Sequence, residues 1–242
     1  VKQWRFAVLL TDHPRKIFGV GVNYSSNQYY QYFCEKHDAS FELLDGSGVV
    51  MFSAPHSVEQ TRMGKIKVAE RYTGVICKML HDQICCPVIY KTKNCGDDAN
   101  FDMHSPYKQV LSQYVTEKGV KIVIDLHQLS AGRKVSVNLG TADLKNLSDK
   151  NCLKIFWEEF RLANVGDVLV DSPFKGAMPY TVASYIHNNC KIQTVQIEIN
   201  SRLMVDEGAD GSLLRVFGAL KQCALKLNYY LGGTNEKRNS DG

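Results

Sequence analysis

Along the chain, apolar runs of strand length alternate with longer segments whose apolar residues recur every three or four positions, the pattern of a sheet covered by helices. The runs Phe6–Leu10, Val49–Phe52, Pro87–Tyr90, Val120–Leu126, Val168–Val170 and Thr194–Ile199 predict strands. KIVIDL, residues 121–126, is apolar at nearly every position, as a central strand covered on both faces should be. Helical periods predict helices over 27–37, 60–82, 104–118, 148–163, 178–189 and 211–231. In the second of these, Val68, Ala69, Tyr72, Val75, Ile76, Met79 and Leu80 would form one buried stripe against the sheet.

No stretch repeats at a period of 20–50 residues, and no Pro/Gly/Ser-rich linker divides the chain. A single α/β domain over 1–231 is expected, with a mixed sheet between helical layers. The tail GGTNEKRNSDG, 232–242, is too polar to bury surface and is expected to be flexible.

With 44% apolar and 22% charged residues in 242, the chain has ordinary globular composition. A net charge of +4 is too small over this length to point to nucleic acid or an anionic membrane. No apolar run reaches the roughly 18 residues that a membrane helix needs. The eight cysteines are scattered without a CxxC pair, which suits reduced, mostly buried thiols in a cytoplasmic protein. The N-x-S sequons at Asn23 and Asn146 are then chance matches.

Candidate chemistry concentrates in SAPHSVEQTR, where His56 and Glu59 stand three residues apart just after an apolar strand. On a tight loop or a first helical turn both project to one side and could grip one ion. Asp125-Leu126-His127 places a second histidine at the carboxyl end of the most apolar strand, the edge at which open α/β sheets hold ligands. Two imidazoles and one carboxylate are the ligand set of hydrolytic zinc sites, in which the ion lowers the pKa of water to about 7 and polarises a carbonyl. In TVQIEIN, Ile197 and Ile199 face away from Glu198, which leaves that carboxylate free to serve a polar site as general base. Plainer roles stand beside these: a structural histidine at 127, a helix-capping carboxylate at Glu59, a surface residue at Glu198.

The ordered segments APHSVEQTR, GDDANFDMHSPYKQVL, IVIDLHQL, VNLGT, SPFKGAMPYT and VQIEINSRLM span most of residues 50–204. Together they resemble the N-formylglutamate amidohydrolase family, similar in fold to zinc carboxypeptidases and aspartoacylases. The resemblance implies a hydrolase-like three-layer α/β/α sandwich with a central mixed sheet, zinc held by His56, Glu59 and His127, and Glu198 shuttling the proton. Ser57-Val58 departs from that family, whose first motif commonly carries Gly soon after the His.

The implied activity is zinc-dependent hydrolysis of the amide or formamide of a small N-acylated amino acid. The alternatives are a zinc carboxypeptidase-like peptidase acting on short peptides, or a non-catalytic ligand-binding protein of the same fold. A substrate carboxylate would want a guanidinium fork, for which Arg62, Arg133 and Arg202 are candidates, each otherwise a surface charge. Lys175 and Gly176 resemble a substrate-admitting loop or form an ordinary turn, and Asn200 is an oxyanion donor or a turn residue. Asp125 shares a strand face with His127 and can orient its ring. Asp97, Asp98, Asp102 and His104 read as a loop leading into a helix.

Overall fold

The computed structural model describes residues 39–204 and 212–233. The strand expected at Phe6–Leu10, the helix at 27–37 and most of the polar tail lie outside the described residues. A seven-stranded sheet in the order β1-β5-β2-β6-β9-β7-β8 forms the centre, and a two-stranded hairpin, β3-β4, stands apart from it. The strands are β1 Phe41–Leu44, β2 Val50–Ala54, β3 Gln60–Arg62, β4 Lys65–Lys67, β5 Val88–Lys91, β6 Ile122–Leu129, β7 Val137–Gly140, β8 Val168–Val170 and β9 Gln193–Asn200. The helices are α1 Thr73–Ile84, α2 Pro106–Lys118, α3 Lys150–Leu162, α4 Val182–Cys190 and α5 Ser212–Gly232, with a 3-10 turn at Ser201–Leu203.

Strands β5, β2, β6 and β9 run parallel, while β1 and β7 pair antiparallel to β5 and β9, so the sheet is mixed. One face carries Phe52, Ile122, Ile124, Leu126, Val195, Ile197 and Ile199 against α1, α3 and α5. The other packs Met51 and Val123 against Tyr107 and Leu111 of α2 and Val182 and Ile186 of α4. The result is a three-layer α/β/α sandwich with a separate core on each face. The second face turns polar towards the carboxyl ends of its strands, where Ser53, Asp125, His127, Gln196 and Glu198 replace apolar residues yet stay buried. Such burial is tolerable only if these groups bond one another.

The second predicted helix is shorter than expected. Over 60–72 the chain makes the β3-β4 hairpin and a loop, and α1 begins only at Thr73. Met63 and Gly64 take positive φ angles of 51° and 74°, which closes a two-residue hairpin turn of the kind that matches strand twist. Val75, Ile76, Met79 and Leu80 are buried as expected, but Val68 is 81% exposed. Strands β1 and β7 were not foreseen. β1 is only partly buried and β7 is four residues long, so neither carries a strong apolar run.

Among the described residues no helix is long and apolar enough to cross a membrane. The described cysteines are free thiols, buried at 77, 86, 152 and 223 but exposed at 85 and 95, so the expectation of burial holds for part of them. Asn146 is buried and donates to Gly176 O and Ser184 Oγ, leaving no room for a glycan.

Candidate metal centre

His56 sits in the turn after β2 and His127 near the end of β6, with ring centroids 4.9 Å apart. The carboxylate between them is Glu70. Its Oε1 accepts from His56 Nδ1 at 2.8 Å and its Oε2 from His127 Nδ1 at 2.9 Å. The Gln128 backbone N–H also donates to Oε2, at 3.1 Å. One ligand atom from each of His56, Glu70 and His127 lies within 4.8 Å of the others, and Glu59, expected in this position, is an exposed residue outside the group.

The physical reason is the hairpin. After β4 the chain returns to its starting point, where Glu70 N donates to His56 O at 2.8 Å, and this bond brings the later carboxylate to the histidine. Ser57 lies so close to Gly74 that a Cβ there would stand 2.7 Å from Ser57 Cβ, so the turn bearing His56 is seated on the first turn of α1.

Each ring is held from behind. His56 Nε2 donates to Asp98 Oδ1 at 2.8 Å, and His127 Nε2 to Asp125 Oδ2 at 3.0 Å. Asp125 is fixed in turn by Ser53 Oγ at 2.8 Å, and Ser53 contacts Tyr107 OH at 2.9 Å. Asp98, which had read as part of an ordinary loop, also accepts from Arg62 Nε at 2.7 Å. Its role was visible in sequence only as an acid in a loop, because the contact spans 42 positions.

Each imidazole can serve two carboxylates only with both nitrogens protonated. Burial alone would depress the His56 pKa, but Glu70 and Asp98 outweigh it and raise the value to about 9. His127 follows the same logic: burial lowers it, and Glu70 and Asp125 lift it well above the usual range. Burial would raise Glu70 and Asp98; the imidazoles beside them, with Arg62 at Asp98, hold both low instead, Asp98 at about 2.

Glu198 is the register partner of His127 on β9 and is buried. Burial raises its pKa, His127 offsets that in part, and Glu70 adds to the rise. Gln196 Nε2 donates to Glu198 Oε1 at 2.8 Å, which leaves Oε2 as the oxygen available to a ligand.

The donor set fits a metal ion. Two imidazoles and a carboxylate converge, their Nδ1 atoms face the shared carboxylate, and each Nε2 is anchored on a buried aspartate, the arrangement that fixes ring orientation and raises ligand basicity. Beside the cluster opens a cleft of about 460 Å³, lined by His56, Gln60, Arg62, Lys67, Glu70 and Gln128 among others.

Of the residues expected to anchor substrate, Arg62 lines this cleft. The others do not, and each has a partner that explains it. Arg133 stacks on Phe174 at 4.8 Å. Arg202 spends its guanidinium on the carbonyls of Arg133 and Lys134 and on Ser136 Oγ. Asn200 Nδ2 bonds Arg133 O and Val135 O, both at 2.9 Å, so both amide hydrogens are engaged and neither is left for an oxyanion. Lys175 is an exposed residue paired with Asp143 at 2.8 Å. Gly176, at φ 63°, is a close-approach position, because a Cβ there would meet Gln196 Cβ at 3.0 Å.

No protein-family model and no curated protein matches the sequence. Solved structures do share its fold. Gene product Atu2144 from Agrobacterium tumefaciens is 12% identical, with a TM-score of 0.57 over 83% of this chain and 99% of that one. A bacteriophage poly-gamma-glutamate hydrolase is 11% identical, with a TM-score of 0.55 over 81% of this chain and 92% of that one.

Proposed function

We propose that the protein is a zinc-dependent amidohydrolase acting on the amide or formamide bond of a small N-acylated amino acid such as N-formylglutamate. The observation that carries this reading is the pair of buried imidazoles, each held by an aspartate on Nε2 and both turned by Nδ1 onto Glu70. Sharing a fold with a phage poly-gamma-glutamate hydrolase supports it.

His56, Glu70 and His127 would hold the metal, and Asp98 and Asp125 would keep the two rings in place. Zinc, when bound, supplies a Lewis acid that polarises the scissile carbonyl and acidifies water. Glu198 acts as general base: its Oε2 takes a proton from the attacking water and passes it to the leaving nitrogen. A buried carboxylate with a raised pKa suits that shuttle, since transfer is most effective when donor and acceptor pKa values are close. Arg62 and Lys67 on the cleft wall supply positive charge for the substrate carboxylate.

The test is metal content of the purified protein by plasma mass spectrometry together with hydrolysis of N-formyl-L-glutamate, on wild type and on His127→Ala. One zinc per chain and turnover, both lost in the variant, are expected. Absence of stoichiometric metal after zinc supplementation would reject the reading in favour of a binding protein.

A further inference from the structure

Gln60 opens β3, is only 4% exposed, and lines the cleft beside His56, Arg62 and Lys67. Its Nε2 donates to Val68 O at 3.3 Å, across the hairpin. Its Oε1 is buried and has no hydrogen-bond partner. The amide cannot be turned over to cure this, because the oxygen would then face the Val68 carbonyl. A buried acceptor without a donor is costly, and native proteins keep few of them. Gln196 Oε1 is likewise unpartnered, but the backbone of Gly176 closes against it. Gln60, by contrast, lines the cleft, where a bound molecule can bring the missing donor to it.

The donor that would satisfy it is constrained by its neighbours. Arg62 and Lys67 on the cleft wall disfavour an ammonium group, whereas a neutral amide N–H meets a neutral acceptor without charge repulsion. We propose that Gln60 is a specificity-determining residue of this cleft, its Oε1 accepting the amide N–H of an N-acylated amino acid whose carboxylate lies towards Arg62 and Lys67. The assignment rests on the amidohydrolase reading and adds a requirement to it: the site distinguishes an amide from the corresponding ester in binding, before any bond breaks.

The experiment is calorimetric binding to zinc-loaded protein carrying Glu198→Gln, which slows turnover, of two ligands: N-formyl-L-glutamate and its ester analogue 2-formyloxyglutarate, which lacks the N–H. With Gln60 present the amide binds roughly tenfold tighter, the size of one well-made hydrogen bond. Gln60→Met and Gln60→Glu both forfeit the bond to Val68 O, but only the second keeps an acceptor. The amide preference should therefore vanish in Gln60→Met and persist in Gln60→Glu. Both ligands carry the same carboxylates, so the added charge of Gln60→Glu cancels in their ratio. Preference kept in Gln60→Met, or lost in both variants alike, overturns the role of Gln60. Equal binding of the two ligands with Gln60 present also overturns it, while leaving the amidohydrolase reading in place. Failure of both ligands to bind the zinc-loaded protein rejects that reading and this one with it.

Discussion

His127 stands directly beside Glu198 in the register of β6 and β9, two positions beyond the pair formed by Asp125 and Gln196, with Leu126 and Ile197 between them turned to the opposite face. Two successive pairs on one face of the sheet thus carry the ring, its aspartate, the candidate base and the amide that holds that base. Neighbouring parallel strands keep their side chains at fixed spacing, so the arrangement is set by the backbone rather than by loops. Glu198→Gln should leave metal content and melting temperature close to wild type and lower turnover by about 10²–10⁴-fold, the usual contribution of a positioned base. Parallel metal analysis and kinetics check this. Unchanged turnover would remove Glu198 from the chemistry.

The choice between Glu59 and Glu70 is open to a direct comparison. Glu70→Gln removes the carboxylate that lies against both imidazoles and should abolish stoichiometric zinc. Glu59→Gln, at an exposed position, should retain it. Metal analysis after dialysis decides, and loss of zinc in the second variant only would restore the short-spaced ligand pair.

Much of this was legible in the sequence because it is local. The apolar runs gave strands β2, β5, β6, β8 and β9, and the period of two placed Asp125 behind His127, as found at 3.0 Å. What escaped depends on chain return. The apolar positions Val68 and Ala69 extended the helical period of α1 backwards over a hairpin, which hid the turn at Met63-Gly64 and made Glu59 the nearest acid in line. Asp98 meets His56 only through the fold of a loop 42 positions away, and no spacing rule reaches so far.

The charged cluster makes the metal-free protein sensitive to pH in a defined direction. His56 has its pKa raised from 6.5 to about 9 by folding, so its contribution to stability is complete below about pH 6.5 and is lost as pH rises through about 9. Asp98, lowered from 3.8 to about 2, contributes above about pH 4 and loses its share as pH falls through about 2. In chelator-treated protein, urea midpoints should therefore fall between pH 7 and pH 10. Asp98→Asn should flatten that fall. Metal affinity should run the opposite way and increase with pH, because ligation requires each imidazole to shed a proton. A wild-type midpoint that is flat over this range would show that the histidines are not held in their charged form.

Asp98→Asn also probes the ring support without touching a ligand. Orienting partners of metal-bound histidines typically contribute 10–100-fold in affinity, so zinc binding measured by competition with a chromogenic chelator should weaken by about that factor. The same substitution unpairs Arg62 Nε, which lies on the cleft wall. Substrate KM should therefore change together with metal affinity. An intact zinc affinity would mean that His56 is oriented by Glu70 alone.

Gly74→Ala sets two effects of opposite sign against each other. The residue lies in the first turn of α1, where alanine is favoured over glycine by up to about 1 kcal/mol in a helix interior. Here, however, the added Cβ would stand 2.7 Å from Ser57 Cβ, with Tyr90 Cβ at 3.8 Å. Overpacking of this kind costs about 1–3 kcal/mol, and Ser57 is buried and tied to Ala54 O, so it has little freedom to yield. The net expectation is a loss of about 1 kcal/mol in urea unfolding, against the gain that helix propensity alone predicts. Because Ser57 follows His56, the strain should also displace that ring from Asp98 and weaken zinc binding in step with stability. A variant that is more stable than wild type and binds zinc normally would show that the Ser57 turn is not seated on α1 in the way the contact implies.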